Sequence, residues 1–130
     1  MHGYLWTRLV SKDVTPTQFS AITVIAASPG TDQVALSRES GLDTSTTGAV
    51  IHRLIQRGWV EPHRDPRDRR RKLLRLTEQG TRVHAEIAVA AAAMTETLVG
   101  GLSEEDRSTL VRLLDVLVAH GEALRDGEDG

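Results

Sequence analysis

Cysteine is absent from this chain of 130 residues. Its absence excludes disulfide bonds, thiolate metal sites, cysteine nucleophiles and switches that depend on thiol oxidation. A chain that needs no disulfide bond needs no oxidising compartment, so we expect a cytoplasmic protein.

Aromatic residues and long apolar runs are scarce as well. Leu, Val, Ile and Ala supply most of the apolar residues, which favours a helical protein. The longest apolar run, residues 85–94, is interrupted by Glu86 and is too short to span a bilayer, so we expect neither secretion nor membrane insertion. The length suits one domain with an added interaction element and leaves no room for a second, catalytic domain. The only aromatic residues are Tyr4, Trp6, Phe19 and Trp59.

Motifs for catalysis and metal binding are also missing. The histidines form no His-Glu-x-x-His pattern and no pair at ligand spacing, so we interpret them as surface or boundary residues. Neither a Gly-x-Ser-x-Gly elbow nor a glycine-rich phosphate loop occurs. We therefore expect no enzyme activity, no metal site and no cofactor. The histidines are His2, His52, His63, His84 and His120.

Charge is distributed unevenly along the chain, although the net charge is only −2. Between His52 and Arg75 there are nine Lys and Arg residues and three acidic residues, so this segment carries +6 and the remainder −8. A basic patch on an acidic molecule is typical of a protein that binds a polyanion. The charge distribution by itself is equally consistent with a solvated loop.

Capping signals mark the first helices. The segment Thr15–Gln18 combines an N-cap, a proline in the first turn and the Gln of a capping box. It predicts a helix that runs to about Ala27 and ends before Ser28-Pro29-Gly30. A short amphipathic helix is predicted before it from the spacing of Tyr4, Leu5, Leu9 and Val10.

A further pair of helices is predicted around a glycine turn. Thr31 or Asp32 can cap a brief helix that runs to about Glu39. The segment Ser40-Gly41-Leu42 then forms a tight turn, and Asp43 caps the next helix.

The helix predicted from Thr44 to Arg57 has two distinct faces. One is an apolar stripe at three- and four-residue spacing, formed by Val50, Ile51, Leu54 and Ile55. The opposite face has short polar side chains that lead into Arg, which suits a helix lying close to base edges in a major groove. The pattern indicates a helix-turn-helix, although helical hairpins in ordinary cores share it. The residues expected to contact DNA are Thr44, Ser45, Thr47, Ala49, His52 and Arg53.

Gly48 lies inside this helix, where glycine costs about 1 kcal/mol relative to alanine. We interpret it as allowing a close approach to DNA or to a neighbouring helix. A tolerated weakness is an equal alternative.

A β-hairpin with a basic tip is predicted after Gly58. Its strands are Trp59–His63 and Lys72–Leu76. We expect Asp65 and Asp68 to organise the loop by turn formation and by orienting nearby arginines. A loop of this kind suits the minor groove, whose negative potential attracts guanidinium groups. The wing residues expected to contact DNA are Arg67, Arg69 and Arg70.

Two longer helices are predicted in the last part of the chain. The first follows an N-cap at Thr77 and ends at Gly100-Gly101, and the second follows Ser103 with three acidic residues in its first turn. They have more apolar surface than the preceding domain needs, so we expect a homodimer. Packing within one chain is the alternative. The apolar residues expected in the last helix are Leu110, Leu113, Leu114, Leu117 and Leu124.

Several of these segments resemble the MarR (multiple antibiotic resistance regulator) family. Asp65–Arg70, followed by Leu76–Gly80, is similar to the wing of that family and the exit from it. Arg53-Leu54 with Gly58-Trp59-Val60 is similar to the end of its recognition helix, and Thr15–Phe19 to the start of its second helix. The resemblance covers nearly the whole chain.

The resemblance implies a mainly α-helical winged helix-turn-helix protein with a small β-hairpin wing. Its parts would be an N-terminal helix at the dimer interface (1–14), a DNA-binding domain (15–77), C-terminal dimerisation helices (78–125) and a disordered tail (126–130).

The resemblance also implies a function. The protein would be a sequence-specific repressor that binds double-stranded DNA as a homodimer at a pseudopalindromic operator. A small, often aromatic or phenolic, effector would bind between the DNA-binding lobe and the dimerisation helices. The alternatives are a winged-helix module for a protein partner and a small-molecule-binding protein without DNA activity.

Overall fold

The computed structural model describes residues 6–8, 10, 11 and 13–128. Residues 6–8 are helical. The elements that follow are α1 (Pro16–Ala27), α2 (Gln33–Ser40), α3 (Thr44–Gln56), β1 (Val60–Arg64), β2 (Lys72–Leu76), α4 (Glu78–Val99) and α5 (Glu104–Glu128). The predicted fold class, mainly α-helical with a small hairpin, is confirmed. The chain divides into two compact units, Met1–Met94 and Thr95–Gly130.

Helices α1 and α2 begin at the caps that their sequences provide. Thr15 and Gln18 form a complete capping box, in which each side-chain oxygen accepts a bond from the backbone N–H of the other residue, at 3.1 and 3.2 Å. Asp32, not Thr31, caps α2, because its carboxylate accepts a bond from the Ala35 N–H at 2.8 Å. Both helices therefore start where side chains satisfy backbone donors that have no partner within the helix.

The core of the first unit joins α1, α2, α3 and the hairpin. Its members lie at three- and four-residue spacing on the helices and at alternate positions on the strands, as amphipathic elements require. Burying each of the large aliphatic side chains stabilises the fold by about 1.5–3 kcal/mol. The largest fully buried side chains are Ile22, Ile25, Leu36, Leu54, Val60 and Thr47.

The hairpin is antiparallel and is extended by a short bridge to the segment before α2. Its register pairs Val60 with Leu76 and Arg64 with Lys72. Thr31 bridges to Leu74, whose N–H donates to the Thr31 carbonyl at 2.7 Å. The hairpin is thus attached at its middle to the first helices.

The start of α4 packs directly against the end of α3 and the beginning of the hairpin. Thr77 caps α4, because its hydroxyl accepts a bond from the Gly80 N–H at 3.0 Å and donates one to the Gly58 carbonyl at 2.6 Å. A Cβ atom built on Gly80 would lie 2.0 Å from the Trp59 carbonyl oxygen. No other residue fits at this position without backbone movement.

Helix α5 belongs to the second unit and carries an exposed apolar stripe. Ser103 caps it by accepting a bond from the Asp106 N–H at 3.1 Å. The helix continues to Glu128 and so overlaps the predicted tail in residues 126–128; disorder of the tail stays a prediction. No single helix within the described part of the chain is long and apolar enough to cross a membrane.

The predicted N-terminal helix falls largely outside the described residues, which do not include Tyr4, Leu5 and Leu9. Trp6 is buried and its indole N–H donates to the Val14 carbonyl. Its ring lies against that of Phe19, with 5.6 Å between the ring centroids. Trp6 is therefore part of the core of the first unit.

Substitution of Gly80 by Ala tests the close approach of α4 to the hairpin. We expect the free energy of unfolding to fall by at least about 3 kcal/mol, the upper end of overpacking costs, because backbone atoms must move. Gly101→Ala in the turn before α5 is the control, since a Cβ atom there meets nothing within 4 Å. It should stabilise by about 0.4–1 kcal/mol, because alanine restricts the unfolded chain more than glycine does. Equal effects of the two substitutions in urea unfolding would contradict the packing described.

Candidate nucleic-acid interface

Helix α3 begins at a strong N-cap. The Asp43 carboxylate accepts bonds from the Thr46 backbone N–H (2.7 Å) and the Thr46 hydroxyl (2.8 Å). These bonds stabilise the charged form of Asp43 and so lower its pKa. The bond from the Thr46 backbone N–H has the larger effect, and the bond from the Thr46 hydroxyl the next. The preceding helix ends at Gly41, whose φ of 71° allows the sharp turn between α2 and α3. The two helices and this turn have the arrangement predicted for a helix-turn-helix.

The outer face of α3 carries most of the residues predicted to contact DNA. Ile51 and Leu54 are buried on the inner face. The outer face has short side chains at its start and longer ones at its end, so a duplex can approach the first turns closely. The exposed predicted residues are Thr44, Ser45, Ala49, His52 and Arg53.

The structure corrects the prediction that Thr47 contacts DNA. It is only 1% exposed, and its hydroxyl donates to the Asp43 carbonyl at 2.8 Å. Thr47 lies four residues before Ile51 and therefore on the same inner face. Its side chain packs in the core and is not available to bases.

Gln33 is a residue of this region that the sequence analysis did not identify. Its amide reaches from α2 across α3 and donates to the Thr44 carbonyl at 3.0 Å. A Cβ atom on Gly48 would lie 2.9 Å from Gln33 Nε2. Of the interpretations of Gly48, the close approach of a neighbouring helix is the one that the structure supports, and the glycine itself was the only signal for it.

The wing loop is organised by two carboxylates. Asp65 accepts a bond from the Arg67 N–H at 2.9 Å, and Asp68 accepts one from the Arg70 N–H at 3.1 Å. Each aspartate thus closes a local turn by bonding the backbone two residues further on. These are the contacts expected of Asp65 and Asp68 as organisers of the loop.

The predicted wing arginines point into solvent. Arg67, Arg69 and Arg70 are all exposed. The Arg70 side chain is 94% exposed, although its Nε lies 3.4 Å from the Asp68 carboxylate. The tip therefore presents three guanidinium groups on a loop whose backbone is ordered by Asp65 and Asp68.

Arg71, which the sequence analysis did not single out, has a different environment. Its Nε donates to the Asp32 carboxylate at 2.6 Å, and its Nη1 lies 3.9 Å from the Asp65 carboxylate. The bond to Asp32 raises the pKa of Arg71. The pKa of Asp32 is lowered, first by the Ala35 N–H and then by Arg71, while partial burial opposes both. Because 39 positions separate Asp32 and Arg71 in the chain, no local pattern indicates this pair.

A groove of about 200 Å³ lies between α3 and the hairpin. Gly48 and His52 line one side, and Pro62 and Lys72 line the other. Residues of α3 and of both strands of the hairpin therefore border one groove.

Histidines do not form a metal site in the described part of the chain, where no three His, Asp or Glu side chains are placed to hold a metal ion. His84 stacks on Phe19 with 5.6 Å between ring centroids, and its Nε2 lies 3.3 Å from the Thr23 hydroxyl. It connects α4 to α1 within the first unit.

Two short helices around a glycine turn, followed by a basic hairpin, define this chain as a winged helix-turn-helix protein. The sequence model of the MarR family matches residues 12–71. The chain is 32% identical over 108 residues to a putative transcriptional regulatory protein for the hcr operon of Thauera aromatica. The matched region covers 83% of this chain and 65% of that protein. The chain thus spans slightly less than two thirds of the length of that relative.

Two other comparisons cover more of the related protein. The transcriptional regulator HosA of Escherichia coli is 30% identical over 78% of this chain and 76% of its own length. The crystal structure of the PcaV transcriptional regulator from Streptomyces coelicolor in complex with its natural ligand superposes with a TM-score of 0.83, with 36% identity over 91% of this chain and 84% of PcaV. The chain belongs to the MarR family of DNA-binding transcriptional regulators.

A double-mutant cycle tests the contact between Gln33 and Gly48. Gly48→Ala gains about 1 kcal/mol of helix propensity but displaces the Gln33 amide, whose hydrogen bond contributes about 1 kcal/mol. We therefore expect little change in the free energy of unfolding from Gly48→Ala alone. In a Gln33→Ala background the same substitution should stabilise by about 1 kcal/mol. The same effect in both backgrounds would show that Gln33 does not restrict residue 48.

Proposed function

We propose that this protein is a repressor that binds a specific DNA sequence as a homodimer in the cytoplasm, with α3 in a major groove and the wing in the adjacent minor groove. The observation that carries the proposal is that the outer face of α3 is exposed beside a groove shared with the hairpin, and that the tip of this hairpin presents exposed arginines. This surface combines short side chains for base edges with guanidinium groups for a narrow, electronegative groove.

The charge distribution supports the same arrangement. The basic segment His52–Arg75 forms the end of α3 and the wing, whereas the rest of the chain is acidic. Binding should therefore be concentrated at this surface and should depend strongly on salt, because phosphate contacts release counterions.

Arg70→Ala tests the role of the wing. If Arg70 contacts a phosphate, the slope of log K against log salt concentration should become less steep by about one unit, and affinity should fall. Fluorescence anisotropy across a salt series, with a duplex from upstream of the gene and a random duplex, measures both. Arg112→Ala removes a positive charge from α5 and should leave both quantities unchanged. Unchanged slope and affinity for Arg70→Ala would exclude a DNA contact by this residue.

Homodimerisation is proposed from the surface of α5. Its leucines at positions 110, 114, 117 and 124 follow alternating four- and three-residue spacing around Gly121, which is the pattern of a helix that packs against another helix. Leu117 is 66% exposed in the isolated chain. A second copy of the chain would cover this stripe and would also place two α3 helices for two half-sites.

Leu117→Glu tests this interface. We expect it to shift the protein from dimer to monomer in light scattering, because a buried unpaired carboxylate is strongly disfavoured. Ala119→Glu introduces the same group about 160° away on the helix and should leave the dimer intact. A dimer that is equally stable in both variants would contradict the proposed interface. The folding of each variant is checked by its helical circular dichroism.

A response to a small molecule is the remaining part of the proposal. A cavity of about 270 Å³ lies within the first unit between α1, β2 and α4. Its walls combine apolar groups, such as Ile25 and Leu76, with the polar side chains of Arg75, Thr81 and His84. Apolar walls with few polar groups are typical of ligand sites, and the related PcaV regulator is known in complex with its natural ligand. We infer that a small aromatic effector binds this protein.

A further inference from the structure

Asp32 makes two contacts that lie in different parts of the molecule. One carboxylate oxygen, Oδ1, accepts a bond from the Ala35 N–H at the start of α2. The other, Oδ2, accepts a bond from Arg71 Nε at 2.6 Å. A single side chain therefore caps the first helix of the helix-turn-helix and also holds Arg71, the last loop residue before β2.

The ion pair between Asp32 and Arg71 is the second attachment of the hairpin to the segment before α2. The middle of the hairpin is fixed by backbone bonds, in which the Leu74 N–H donates to the Thr31 carbonyl at 2.7 Å and the Gly30 N–H donates to the Leu74 carbonyl at 3.0 Å. A hairpin that is attached at one place can still tilt about that place. The ion pair between Asp32 and Arg71 attaches it again three residues nearer the tip, and so limits the tilt.

The backbone of Arg71 is also held within the wing loop, so its position is coupled to that of the loop. Arg71 is additionally bonded within the loop, since its N–H donates to the Asp68 carbonyl and its carbonyl accepts from the Asp65 N–H, both at 3.0 Å. The Asp32 side chain is 18% exposed and the Arg71 side chain 51% exposed, so the carboxylate is the partner that is partly shielded from solvent. Movement of Arg71 would therefore move the loop that carries Arg69 and Arg70.

We propose that Asp32 is a positioning residue for DNA recognition: through Arg71 it fixes the direction in which the wing arginines extend relative to α3. Asp32 itself contacts no DNA in this account. The proposal rests on the DNA-binding function proposed above.

Removal of the Asp32 charge distinguishes an effect of charge alone from a role in positioning the wing, because the two predict opposite changes in DNA affinity. Asp32 is an anion among Arg70, Arg71 and Lys72, so it repels a nearby phosphate backbone. If charge alone matters, Asp32→Asn should bind DNA more tightly. If Asp32 positions the wing, the same substitution should bind more weakly. Asn retains the helix cap, because its side-chain oxygen can still accept the Ala35 N–H.

The experiment compares the unmodified protein with Asp32→Asn and Arg71→Lys. Lys keeps the positive charge of residue 71 but lacks the Nε–H donor and its planar geometry. The matched control is Glu39→Gln, which removes one exposed negative charge from α2 at a position distant in the helix from Asp32. The DNA is a duplex that the unmodified protein selects from a random pool, with an unselected duplex of the same length for comparison.

We expect Asp32→Asn and Arg71→Lys each to weaken binding to the selected duplex by about tenfold, as for residues coupled in one ion-pair network. Their double variant should be no weaker than either single variant. Hydroxyl-radical protection at the flanking minor grooves should be lost, whereas protection of guanine N7 in the major groove by α3 should remain. Glu39→Gln should bind at least as tightly as the unmodified protein.

Three results would overturn the proposal: tighter or unchanged binding by Asp32→Asn, unchanged binding by Arg71→Lys, or full flanking protection in either variant. If Asp32→Asn does not fold, DNA binding by Arg71→Lys alone tests the proposal, since this variant retains Asp32 and the cap of α2. A failure of the underlying function is seen separately, because the unmodified protein would then not distinguish the selected duplex from the unselected one.

Discussion

The antiparallel bridge between Thr31 and Leu74 is the contact on which the arrangement of the interface depends. A two-stranded hairpin is at best marginally stable in water by itself, and this one carries several arginines that repel one another. Thr31 adds an isolated bridge to the middle of β2, and Leu74 is buried at the same point. The basic wing can therefore project from the molecule because its middle is built into the core.

Close packing behind the hairpin imposes a second constraint. The chain leaves α3 at Gly58, and the Trp59 carbonyl accepts a bond from the Thr77 N–H at 3.0 Å. Gly80 then lies against that same carbonyl. Helix α3, the wing and the start of α4 are therefore held together by these contacts, and Gly80 leaves no space for a larger residue.

The local features of this fold could be predicted from the sequence because they depend on neighbouring residues. The capping box at Thr15, the cap at Asp43 and strand β2 all lie where short patterns place them. Contacts between distant residues left no such pattern. The pairing of Asp32 with Arg71 and the position of the Gln33 amide over Gly48 required the fold, and Thr47 was assigned to the wrong face because its polarity outweighed its spacing from Ile51. The roles of the exposed residues of α3 and the wing in DNA binding stay predictions.

Selection of bound sequences from a random DNA pool tests the central claim most directly, because it examines recognition and dimer geometry together. The account predicts enrichment of an inverted repeat whose half-sites are centred about 10 base pairs, or one duplex turn, apart. Sequence preference should extend to A·T-rich flanks, where the minor groove is narrow and attracts the wing arginines. Failure to enrich any sequence, or enrichment of a single unrepeated site, would contradict the proposal that two copies of α3 and the wing read DNA together.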